Sequence, residues 1–244
     1  MTYKEYFIFI GLILVCAVFS GWASRKVHTA YKAFADVRNK SNMTGYDTAV
    51  RLLRAGGLDD ISVGRVKGNL TDHYHPTKKI VNLSESTYGD ASVAAVAVAA
   101  HEIGHVMQKE KGYFPYTIRQ ILVPLANIGS RLALPLVIVG ILLDAFVTAT
   151  QFADLGYWLA IAGVVAYGLS TVFTLVTLPV ELNASKRAGK MLVEEGILTE
   201  EEMGGAKQVL SAAALTYVAA LLTSLVYFLR FAIWVLRIVG RNRD

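Results

Sequence analysis

Two histidines and a glutamate within five residues, His101-Glu102-Ile103-Gly104-His105, are the part of the chain best equipped for chemistry. On a helix, residues i and i+4 project from one face, so the two imidazoles can converge on one metal ion. The glutamate after the first histidine then stands beside the metal's open position, where it can take a proton from an activated water. Imidazole nitrogens, a carboxylate oxygen and a position left for water suit zinc. The pentapeptide is short, and an ordinary polar patch on a helix can read the same way. Its surroundings argue for a site. Ala91 to Ala100 is almost wholly small and apolar, so the helix reads as buried, and buried histidines and glutamates need partners. A catalytic zinc takes three protein ligands. Glu181 is the best candidate for the third. Two membrane crossings separate it from His105, which returns it to the same face. A carboxylate at that depth is costly unless it is paired or bound to a cation. Pairing with Lys186 or Arg187 is the alternative.

The elements that must position these residues lie in a chain of membrane-protein composition. Of its 244 residues 54% are hydrophobic and only 18% charged, and mean hydropathy is +0.44, too apolar for a typical soluble domain. The net charge of +5 reads as loop charge that orients the chain in a bilayer. No basic patch is interleaved with aromatics, so no nucleic-acid partner is expected. The single cysteine, Cys16, lies in an apolar run and excludes a disulfide within the chain.

The pattern predicts a mainly α membrane protein of about four transmembrane helices with a small α+β catalytic segment. Residues 1–24 read as an N-terminal anchor, retained because the basic residues Arg25 and Lys26 follow the apolar run instead of preceding it. Residues 25–120 read as the segment that carries the His101–His105 helix. In it, Val27 to Val37 reads as a helix, and Thr44 caps a second helix that stops at Gly56-Gly57. The short β-like stretches Ile61-Ser-Val63 and Lys79-Ile-Val81 predict an antiparallel hairpin or small sheet. Asp90 is placed to cap the metal-site helix. Residues 121–180 form a transmembrane hairpin. Its first half is interrupted by Pro124, Arg131 and Pro135, and Asp144 follows, so 132–147 is the better span there, followed by 157–179. Residues 181–210 read as a polar helix carrying the third ligand, and 211–244 as a C-terminal transmembrane or interfacial helix. With spans at 6–23, 132–147, 157–179 and 211–229, the lysine- and arginine-rich loops fall on one side, assigned to the cytoplasm. The tail arginines Arg241 and Arg243 argue against a full fourth crossing.

Asp72-His-Tyr-His75-Pro76, Leu83-Ser-Glu-Ser-Thr-Tyr88, Val98-Ala-Ala-His101-Glu-Ile-Gly-His105-Val-Met-Gln108 and Leu178-Pro-Val-Glu181-Leu-Asn-Ala-Ser185 occur in that order. Together they resemble the YugP-like neutral zinc metallopeptidases of bacterial membranes, which are in turn similar to the HtpX and CAAX-protease class of gluzincins. The resemblance implies one zinc ion held by His101, His105 and Glu181, Glu102 as general base, and a bacterial inner-membrane location, and the loop charges then turn the active site to the cytoplasm. This chain departs from the expected pattern at His75 and Asn183, where aspartates are expected, and at Ser185, which replaces an acid of the wider class. Which group orients the metal-bound histidines is left open by those changes.

The chemistry expected is hydrolysis of a peptide or membrane-protein substrate by a zinc-activated water, in contact with the lipid bilayer, with an oligomer possible. The developing oxyanion needs donors besides the metal, and Arg187, His73 and Tyr74 are the candidates. The stretch Lys79 to Leu83 offers a strand edge to an extended substrate. His73 and His75 share a strand face and are an alternative metal pair. His28 reads as a solvated or interfacial histidine, and Tyr113, Phe114 and Tyr116 as an interface belt. A non-catalytic membrane scaffold with a structural zinc site is the rival from another class. It requires four protein ligands and no adjacent base, so Glu102 speaks against it. A channel or transporter fits the proline-broken segment but not the sizeable polar domain.

Overall fold

In the computed structural model, residues 3–146 and 153–240 are described. Val147, Arg241 and Arg243 of the topology argument lie outside them, as does the side chain of Asp144. The chain runs α1 (Tyr3–Ala35), α2 (Gly45–Ala55), β1 (Ser62–Val66), β2 (His73–His75), β3 (Ile80–Ser84), α3 (Glu85–Tyr88), α4 (Val93–Glu110), α5 (Phe114–Phe146), α6 (Ala153–Glu194) and α7 (Glu200–Gly240). It is mainly helical, and α1, α5, α6 and α7 are each long and apolar enough to cross a membrane. The contacts divide it into two units: residues 1–20, 118–178 and 218–244, and residues 21–117 with 179–217.

The first unit is built from helices with small residues at their crossings. A Cβ on Gly129 would come within 2.5 Å of the Ala166 carbonyl, and one on Gly163 within 2.7 Å of the Ala133 carbonyl. Such close backbone approach is how apolar helices associate when no hydrophobic gain separates protein from lipid. Thr171 and Ser224 add an interhelical hydroxyl pair at 3.0 Å. The prolines expected to interrupt the second span do not: α5 continues through Pro124 and Pro135. In an apolar setting neighbouring groups satisfy the freed carbonyls, so proline bends such a helix without ending it.

The second unit is organised around α4. Alanine is the strongest helix former, and Val93 to Gln108 is buried at almost every position. Ser92 is its N-cap, accepting from the Ala95 amide at 3.1 Å, and Asp90, the expected cap, instead accepts from the Ser92 hydroxyl at 2.8 Å. Around α4 pack Leu52 and Leu53 of α2, Val81 and Leu83 of β3, Ala188 and Leu192 of α6, and Val209 and Leu210 of α7. Their burial stabilises the unit at about 25 cal/mol per Å² of apolar surface removed from water. Thr44 caps α2 in a full capping box with Asp47, and the helix stops at Gly56, as its spacing predicts. The sheet is mixed, not a simple hairpin. Its order is β1-β3-β2, with β1 parallel to β3 and β2 antiparallel to it. The stretch Lys79 to Leu83 therefore offers no free edge, because β3 is the central strand. The open edges belong to β1 and β2. The polar stretch from Glu181 is not a separate helix either: it continues α6 to Glu194, and a turn with Gly196 at φ +60° leads into α7.

Candidate metal centre

His101 and His105 stand one turn apart on α4, with their rings edge to face at 4.8 Å between centroids. Glu181, on α6 and 2% exposed, faces both. Its Oε2 lies 3.2 Å from His101 Nε2 and 3.3 Å from His105 Nε2. Donor atoms of the three residues all fall within 4.8 Å of one another, and they are the one such group among the described residues. Two donors held about 2.05 Å from a tetrahedral zinc stand about 3.3 Å apart. The two separations from Glu181 match that spacing, and the donor set, two imidazoles and one carboxylate, could hold that ion.

What holds the rings in this pose is visible atom by atom. Gln108, fully buried, donates through Nε2 to the Val180 carbonyl at 2.7 Å and to Asn183 Oδ1 at 3.1 Å. Its Oε1 is thereby turned to His105 Nδ1 at 3.0 Å. An amide oxygen only accepts, so His105 carries its proton on Nδ1 and leaves Nε2 free to ligate. His101 Nδ1 meets Ser185 Oγ at 3.1 Å. A hydroxyl and a carboxamide therefore do the orienting that a carboxylate commonly does. Asn183 Oδ1 also accepts from Arg187 Nε at 2.8 Å, which extends the chain of contacts outward. The two helices can approach this closely because residue 104 is glycine: a Cβ there would lie 2.5 Å from the Ala184 carbonyl oxygen.

Glu102 is 7% exposed and lies beside these donors. Burial pushes its carboxyl up to about 7. The His101 ring opposes that shift, the Asp72 and Glu181 carboxylates add to it, and the Tyr74 backbone amide on β2 opposes it again. A group poised near neutrality can both take and return a proton. His101 and Glu102 open onto a cavity of about 460 Å3, walled by Val27 and His28 of α1, Leu70 of the β1–β2 loop, Val98, and Ala213 and Tyr217 of α7. Leu70 holds a left-handed backbone, φ +54°, which a bulky side chain adopts only when its surroundings impose it.

The other residues singled out by type sit as follows. The Tyr74 hydroxyl is buried and has no hydrogen-bond partner among the described residues. Burial raises its pKa to about 12, so it stays a proton donor. His73 has both ring nitrogens engaged, Nδ1 by the Thr71 carbonyl at 2.9 Å and Nε2 by Asn82 at 3.1 Å. His75 Nδ1 accepts from the Lys78 amide at 3.3 Å, and neither joins the metal group. Arg187 does not line the Glu102 cavity; its guanidinium sits 5.8 Å from the Tyr113 ring centroid. Tyr116 is buried against His105, with centroids 6.2 Å apart, and so is no belt residue, whereas Phe114 is exposed. Gln108 and Ser185 carry no metal-site signature of their own, but i+3 from His105 and i+4 from Glu181 put each on the right helix face. His28 lines the cavity, and no local signal indicates that.

Fold and site together define a mainly helical protein with four helices apolar enough to cross a membrane and a histidine–histidine–glutamate group that could hold a metal ion. The family described as "Putative neutral zinc metallopeptidase" matches residues 8–236, and the chain belongs to it. It is 40% identical over 237 residues to "Putative membrane protease YugP" of Bacillus subtilis (strain 168), covering 97% of this chain and 100% of that relative. No solved structure matches.

Proposed function

We propose that the chain is a zinc metalloendopeptidase of the bacterial cell membrane, with His101, His105 and Glu181 as ligands and Glu102 as general base. The observation that carries this reading is the Glu181 carboxylate buried against both histidine Nε2 atoms, with a second buried carboxyl, Glu102, facing an open cavity. Zinc bound there supplies Lewis acidity to the attacking water and to the scissile carbonyl. The chain's residues do the rest. Glu102 takes the proton of the attacking water and returns it to the leaving amine. Tyr74, whose buried hydroxyl has no hydrogen-bond partner among the described residues, donates to the developing oxyanion. Arg187 acts at one remove, through Asn183 and Gln108 on His105. The substrate lies extended along the open edge of β2, whose Tyr74 amide already faces Glu102. An apolar side chain flanking the scissile bond enters the cavity between Val27, Leu70 and Ala213. The segment 25–120 and the stretch from residue 181 carry this machinery on the cytoplasmic side. A structural zinc site would have a fourth protein ligand, and among the described residues the group has three.

Glu102→Gln in purified full-length protein tests the reading. Zinc content stays at the parent level and peptide cleavage falls by at least a hundredfold. Cleavage at the parent rate overturns it.

A further inference from the structure

Arg230 of α7 lies in the first unit, in a helix apolar enough to cross a membrane. Its guanidinium stands 5.9 Å from the Tyr6 ring centroid, a cation–π contact. Among the described residues it makes no ion pair and no hydrogen bond. Arg237, two turns further on, differs: it is held by Glu5 through both terminal nitrogens. A guanidinium carries five N–H donors and does not release its proton, so Arg230 is a permanent cation with unused donors. It borders a cavity of about 600 Å3, also lined by Tyr6, Ser130, Leu134, Tyr167 and Trp234. Aromatic rings form one wall, with Tyr167 to Phe231 at 5.2 Å and Phe231 to Trp234 at 6.4 Å between centroids. Tyr6, Leu134 and Trp234 are exposed, so the cavity opens outward between the helices. One end is cationic and rich in donors, and the rest is aromatic and apolar. A charged residue in a membrane segment marks a functional site by default, and a basic pocket between membrane helices selects lipid phosphates.

We propose that this cavity binds one anionic phospholipid, its phosphate on the Arg230 guanidinium and an acyl chain against the Tyr167, Phe231 and Trp234 wall. The cavity shares no lining residue with the metal centre, and the proposal does not depend on the peptidase reading. The chain holds three tryptophans, so Trp22→Phe with Trp158→Phe leaves Trp234 as the sole emitter beside the site. The full-length protein is placed in phosphatidylcholine nanodiscs containing rising fractions of brominated phosphatidylglycerol or brominated phosphatidylcholine. Brominated phosphatidylglycerol quenches Trp234 at a several-fold lower mole fraction. Arg230→Gln erases the difference and Arg230→Lys retains part of it. Equal quenching by the two lipids in the parent protein overturns the proposal, whether or not Arg230→Gln folds. So does a preference that survives Arg230→Gln. Relief of quenching by millimolar inorganic phosphate would assign the site to free phosphate and also overturn it.

Discussion

Replacing Gln108 by methionine tests whether the side chain that meets His105 Nδ1 tunes metal affinity. Gln108 is fully buried, and its carboxamide makes three hydrogen bonds, to His105, Val180 and Asn183. Methionine keeps the length and nearly the volume of the side chain, so cavity and strain terms stay small. The acceptor at His105 Nδ1 is lost. Either that N–H is left buried without a partner, at about 1–3 kcal/mol, or the proton moves to Nε2, the atom that faces Glu181. Loss of an orienting partner lowers metal affinity roughly 10–100-fold, equivalent to about 1.4–2.7 kcal/mol. Zinc affinity is measured on purified full-length protein by competition with a chromophoric chelator, and metal-free stability by denaturant unfolding in the same detergent. Gln108→Met raises the zinc Kd by one to two decades. Asn183→Ala leaves Oε1 in place and changes the Kd by less than about tenfold. An unchanged Kd in Gln108→Met refutes the reasoning. If metal-free stability falls at the same time, Gln108 serves only to seat α4 on α6.

Glu181→Ala leaves two imidazoles and no carboxylate, and zinc content measured by mass spectrometry falls to a minor fraction. Full occupancy would refute Glu181 as a ligand. Gly104→Ala adds a Cβ 2.5 Å from the Ala184 carbonyl oxygen. The helix-propensity gain of roughly 0.5–1 kcal/mol is outweighed by a packing cost of about 1–3 kcal/mol. The melting temperature and the zinc content therefore drop together, whereas a stabilised variant would contradict the close helix approach. With Cys16→Ser as background, a cysteine placed at exposed Lys67 beside the sheet reacts with an impermeant maleimide only in inside-out vesicles. Labelling of intact cells would put the site on the other face.

What could be read from the chain was what short-range geometry dictates. The helical period sets His101 beside His105 over five residues, and Thr44 with Asp47 closes a capping box over four. Glu181 was reachable because apolar run lengths count membrane crossings, and the structure brings it against both rings although 80 residues separate it from His101. Strand order was not readable. Stretches of three to five residues carry too little pattern to choose between a hairpin and a parallel pair. The missing acids at His75, Asn183 and Ser185 left the orienting groups open, and packing supplied them: Gly104 lets α6 come close enough for Ser185 to reach the His101 ring and for Val180 and Asn183 to fix the Gln108 amide against His105. His28 joins the cavity for the same kind of reason, since α1 carries it there with no motif around it. Side-chain type and period act along a few residues and survive in any fold. The approach of one helix to another depends on small residues far apart in the chain, and that distance appears only once the helices are packed.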